Sequence, residues 1–222
     1  GFEMFKFYPP GFFAFTKSLG FLLTDTVAFK VVVMGSLLIL PTAIYYCFSS
    51  IFEKETGLLA GFIGLLLIYF RAPMSLLYQT LQVGLVAQAF ALIFLFLFIG
   101  SLHKEDSDYG YLAAIFIALT IISHPFIGLV ASIYLVFFLL YSDNLRNGVL
   151  SLLGYGLTAF WWLPFLEDIW YAQVYTGPSG KLINLPFLFL PFILLKRSRK
   201  MIPLIATGVI LVFIGLIDAV PF

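Results

Sequence analysis

Residues 109–141 read YGYLAAIFIALTIISHPFIGLVASIYLVFFLLY, an apolar run of more than thirty residues with no charge and one interruption, His124-Pro125. Proline removes a backbone donor and biases the residue before it away from helix, so the chain turns at that point. Each half then has close to the length needed to cross a bilayer core of about 30 Å. Strands with open edges cannot satisfy their backbone in lipid, so runs of this kind are helices. The stretch therefore reads as two antiparallel helices joined by a tight turn.

Runs of the same kind extend in both directions. Strong spans are expected at Val31 to Phe52, Gln79 to Ser101, Pro125 to Tyr141 and Asn147 to Leu166, with Met201 to Ile217 following the basic cluster 196–200. Shorter ones lie at Gly57 to Phe70, Tyr109 to Ser123 and Leu182 to Leu195. Pro10 to Leu23 is short and carries Lys17, which suits a helix lying at the interface or dipping into it. The expected fold class is an all-α integral membrane protein of about eight transmembrane helices plus this N-terminal interfacial or re-entrant helix. Residues 1–222 form one polytopic domain, with 1–30 as an outer loop and interfacial helix and 31–222 as the bundle. The aromatic start at Gly1 and the apolar end at Phe222 suggest a fragment of a longer chain.

Composition agrees. Of the 222 residues 62% are hydrophobic and 10% charged, against roughly 25% charged in soluble domains, and the mean hydropathy is +1.08. A net charge of +1 gives no electrostatic footprint for nucleic acid. Cys47 is the single cysteine and, with His103 and His124 far apart, excludes an internal disulfide and a Cys/His zinc site. No organic cofactor and no metal-ligating residues are expected, and the use of a divalent metal stays open. The start lacks the basic segment and cleavage site of a signal peptide. Gly57, Gly61 and Gly64 form a small-residue helix face, and the absence of Gly-Lys-Ser/Thr excludes a phosphate-binding P-loop.

Lys and Arg in short loops favour the cytoplasm. With 196–200 placed inside, Asp143 to Arg146, His103 to Asp108 and Glu53 to Thr56 also fall inside. The N-terminal segment, Arg71 to Tyr78, His124 and Glu167 to Lys181 fall outside.

Candidate site residues come from the outer side. Gln79 and Gln82 share a helix face, lining a polar cavity or bonding to a neighbouring helix. Arg71 sits at headgroup depth, suited to a lipid phosphate or to simple snorkelling. His124 at its turn faces a phosphate or hydroxyl, or is satisfied by backbone. Glu167 and Asp168, being adjacent, cannot form a paired acid/base arrangement; one orients a sugar hydroxyl or both are solvated at the interface. Trp162, with Trp161 and Trp170, belongs to an interfacial aromatic belt or stacks on a sugar ring. No charged group lies deep in a strong span and only one proline break is evident, which argues against ion-coupled transport.

Phe7-Tyr8-Pro9-Pro10-Gly11-Phe12-Phe13, Tyr45-Tyr46, Ser123-His124-Pro125 and Trp162-Leu163-Pro164 occur in that order. The series resembles the membrane domain related to 6-pyruvoyl-tetrahydropterin synthase of prokaryotic multispanning proteins. More broadly it resembles the GT-C superfamily of polyprenyl-phosphate-dependent glycosyltransferases. The resemblance implies an inverting transfer from a polyprenyl-phosphate-linked sugar at the outer face of the cell membrane. On the transferase reading, Tyr8, Arg71, Gln79, Gln82, His124, Trp162 and Glu167 are the expected substrate-binding residues. In that superfamily the catalytic carboxylate precedes the Pro-Pro element. Here Glu3 is the only acid before Pro9 and does not align with it, and Gly11 replaces the usual Leu. The general base is thus expected upstream of Gly1, or the chain is a relative without one. A non-catalytic multispanning subunit with membrane-protein partners is the alternative, and a transporter a third. The bilayer and the lipid-linked donor are the expected partners, with no nucleic acid.

Overall fold

The structure, a computed structural model, describes residues 10–69, 86–106, 108–167 and 202–217. Among these it is all-helical, without a strand. In chain order the helices are α1 (Pro10–Gly20), α2 (Asp25–Ile51), α3 (Lys54–Tyr69), α4 (Val86–Leu102), α5 (Asp108–Ser123), α6 (Pro125–Tyr141), α7 (Leu145–Ser151), α8 (Leu153–Glu167) and α9 (Ile202–Ile217).

Helix α4 is the axis. It packs against α2, α5 and α6, and from Ala89 to Leu102 all but the half-buried Phe94 and Leu97 are buried. Its neighbours supply Leu37, Ile117, Ile127, Tyr134 and Phe138, which join Leu95 and Phe98 in one core. Helix α3 lies on α2 through the expected glycine face. A Cβ on Gly57 would come 2.7 Å from Ser49 Cβ, and one on Gly61 3.2 Å from the Pro41 carbonyl oxygen. Such close backbone approach maximises dispersion contacts, the main cohesive term between helices in lipid.

Two ends can be followed. At one, His103, Asn144 and Pro203 line a common cavity, and the Asn147 amide donates to the Lys104 carbonyl oxygen. At the other, the starts of α1, α2 and α4 meet: Phe12 packs edge-on to Phe29 and Phe90, and Lys17 pairs with Asp25 at 3.1 Å. Helix α1, 11 residues and so about 16 Å long, stays at this end.

The expected span over Asn147 to Leu166 falls within one apolar stretch, Leu145–Leu166, which is divided at Leu152 into α7 and α8. Leu152 N–H donates to the Val149 carbonyl and Tyr155 N–H to the Leu152 carbonyl, three-residue bonds that tighten the chain there. Helix α2 begins six residues earlier than expected, at Asp25, whose carboxylate suits a helix N-terminus. Two stretches, Asp25–Ile51 and Leu145–Leu166, are long and apolar enough to cross a membrane; α4, α5 and α6 are shorter apolar helices. The expected span at Leu182 to Leu195 lies outside the described residues. Large apolar side chains point outward, among them Phe21 (84% exposed), Leu22 (83%) and Phe160 (70%).

Candidate functional site

His124 is the hinge between α5 and α6. Its extended backbone (φ −160°, ψ 118°) lets its N–H donate to the Thr120 carbonyl, closing α5, while its own carbonyl accepts from Gly128 N–H, opening α6. Pro125 then occupies the first helical position, where a missing N–H costs nothing. The backbone of His124 is thus satisfied on both sides. Its side chain is not: it makes no capping hydrogen bond, and Nδ1 is buried without a partner among the described residues. Burial lowers the ring's pKa from 6.5 to about 4, so the imidazole is neutral at pH 7.

Ser123, fully enclosed, leaves its Oγ equally unpartnered. Helix α1 presses on this corner. A Cβ on Gly11 would lie 2.9 Å from Ser123 Oγ and 2.9 Å from the Ile122 carbonyl oxygen, so only glycine lets α1 approach this far. Gly11 and Ser123, more than a hundred residues apart in sequence, therefore meet. Ser123 enters the sequence reading only as part of the Ser-His-Pro element and not as a site residue, because one serine at the end of an apolar helix does not by itself indicate a site.

Trp162 on α8 is half-buried, and its indole N–H donates to the Tyr155 carbonyl at 2.8 Å. That donor is occupied within α8. The Tyr155 hydroxyl donates to Ser132 Oγ at 2.6 Å, and Ser132 in turn donates to the Gly128 carbonyl at 2.8 Å. Helix α8, which carries Trp162, is thus tied through Tyr155 to Ser132 of α6, the helix whose N-cap is His124. Glu167 closes α8. Tyr8, Arg71, Gln79 and Gln82 lie outside the described residues, as do Asp168 and Trp170.

A second polar cluster sits at the opposite end. His103 Nε2 and the Tyr134 hydroxyl are joined by a hydrogen bond of 2.7 Å, and the His103 ring meets Phe138 edge-on. Asn144 donates to the Leu102 and Lys104 carbonyls, and Asn147 to those of Lys104 and Asp106, holding the α4–α5 connection. The cavity here, about 330 Å³, is lined by His103, Glu105, Asp143, Asn144 and Pro203 among others. Thirty-one residues separate His103 from Tyr134, a spacing with no local periodicity, so the pair was not legible in sequence. Among the described residues no group of three or more His, Cys, Asp or Glu is placed to hold a metal ion.

No family model, curated protein or solved structure matches the chain.

Proposed function

We propose that this is a polytopic membrane protein of about eight crossings that acts on a polyprenyl-phosphate-linked sugar at its outer face, as GT-C glycosyltransferases do. The end carrying α1 and His124 is then the outer one, and the end carrying His103 and Asp143 the cytoplasmic one. The observation that carries the reading is the meeting of Gly11 with Ile122 and Ser123, which joins two of the elements on which the resemblance rests. The outward-pointing Phe and Leu side chains support a lipid surround, since water-soluble monomers rarely expose such area. Arg71, Gln79, Gln82 and Tyr8 are proposed to complete the donor site.

The reaction is tested with the protein in membrane vesicles supplied with polyprenyl-phosphate-linked radiolabelled sugars. Release of free polyprenyl phosphate that depends on the protein, and that falls with Arg71→Ala, supports the transferase. No release with any hexose donor refutes it. Placement is tested by impermeant thiol labelling of Ser18→Cys and Asp143→Cys in intact cells. Ser18→Cys should label and Asp143→Cys should not; labelling of both refutes the topology.

A further inference from the structure

We infer that the start of α6 is an oxyanion-binding site, in which Ser123 and His124 together with the first-turn N–H groups of Phe126 and Ile127 hold a phosphate group. The inference rests on the lipid-phosphate part of the reading above, and it is independent of sugar transfer.

Helix α6 has 17 residues, and its first intrahelical bond is Gly128 N–H to the His124 carbonyl. The N–H groups of Phe126 and Ile127 precede that bond, and the residue that ordinarily caps them does not, since the His124 side chain makes no cap bond. A helix start with free donors attracts anions through both its N–H groups and its dipole. By itself that would be generic. Two further polar atoms set this start apart: Ser123 Oγ, in a residue with no exposed surface, and His124 Nδ1 are both buried and both unpartnered among the described residues. More than nine in ten buried polar groups find a partner, so two adjacent orphans at one helix start call for a ligand. Their chemistry selects its class. A hydroxyl donor, a neutral imidazole and backbone N–H groups present donors and no fixed negative charge, which suits the acceptor oxygens of a phosphate ester. Gly11 adds the third wall, leaving α1 to enclose the site from the side.

The experiment measures binding of inorganic phosphate, farnesyl phosphate and farnesol to the purified full-length protein in nanodiscs, by calorimetry and by the ligand-induced rise in melting temperature. Farnesyl phosphate should bind, and Ser123→Ala should weaken it about tenfold while leaving the unliganded protein as stable as before or more so, because it removes an orphan hydroxyl. His124→Phe, which keeps the ring volume, should weaken binding by a similar factor. Binding of inorganic phosphate as well identifies a site for the free anion, and binding of farnesyl phosphate alone identifies a lipid phosphate; both support the assignment. Farnesol binding as tightly as its phosphate, no phosphate binding by the wild type, or unchanged affinity in both variants overturns it. Phosphate binding without any sugar release would refute the transferase and leave the site standing.

Discussion

Tyr134, with 1% of its surface exposed, spends its hydroxyl on His103 Nε2 at 2.7 Å, tying the middle of α6 to the residue that follows α4. Removing one member leaves the other's buried polar atom with less than its share of partners. Tyr134→Phe is therefore expected to destabilise the protein by about 1–2 kcal/mol. A double-mutant cycle with His103→Ala, followed by SDS-induced unfolding in mixed micelles, should return a coupling of about 1 kcal/mol. Additive effects would mean the bond contributes nothing.

Glycines of the same helical type should respond in opposite directions. A Cβ at Gly57 meets Ser49 N and the Tyr45 carbonyl oxygen at 2.9 and 3.0 Å, backbone atoms that cannot step aside. Gly57→Ala should then cost about 1–3 kcal/mol by forcing α3 off α2. Gly156 on α8 has open space at its Cβ position, and Gly156→Ala should stabilise by about 0.5–1 kcal/mol through reduced backbone entropy. Equal melting temperatures for the two variants would contradict this packing.

Gly11→Ala tests the junction of α1 with the α5–α6 corner. The added carbon would press on Ile122 O, Ile122 Cγ1 and Ser123 Oγ, all at 2.9 Å. The expected loss is about 1–3 kcal/mol in the same unfolding assay. A variant as stable as the wild type would place α1 further from α5 than described.

His124 predicts the sign of a pH dependence. Its folded pKa lies near 4, below the ordinary 6.5, because burial penalises the charged ring. The unfolded state therefore binds a proton first as pH falls. The contribution of His124 is neutral above about pH 6.5, becomes increasingly destabilising between 6.5 and 4, and levels off below. At 1.36 kcal/mol per unit the loss reaches at most roughly 3 kcal/mol, and partial exposure of the residue reduces it. His124→Gln should flatten this segment of the stability profile. An unchanged profile in the variant would remove His124 as its source.

Much of the helical framework was legible. Pro125 to Tyr141 coincides with α6, and Tyr109 to Ser123 with α5 to within one residue, because a proline and a cluster of charges mark those ends unambiguously. The Gly57–Gly61–Gly64 face was legible because four-residue and three-residue spacings put small residues on one side of a helix. What failed was tertiary or local. The break at Leu152 has neither Gly nor Pro at its centre to announce it, and α2's extra first turns lie in a segment whose Lys30 interrupts the apolar pattern. The site was readable only where a backbone irregularity exposed it. His124 stood out because proline follows it. Ser123, His103 and Tyr134 acquire their roles from neighbours distant in the chain.

The near-complete enclosure of α4 bears on how its rotation is fixed. A helix with one greasy and one polar side is oriented by its surroundings, but α4 is apolar all round and would sit equally well at any azimuth. Its angular setting must come from a few steric keys. Gly100 admits the Tyr46 ring, whose Cδ1 would lie 2.7 Å from a Cβ there, and the Ser101 hydroxyl meets the Tyr46 hydroxyl at 3.3 Å. One aromatic side chain on α2 thus indexes the central helix, and with it the direction in which His103 leaves the bundle.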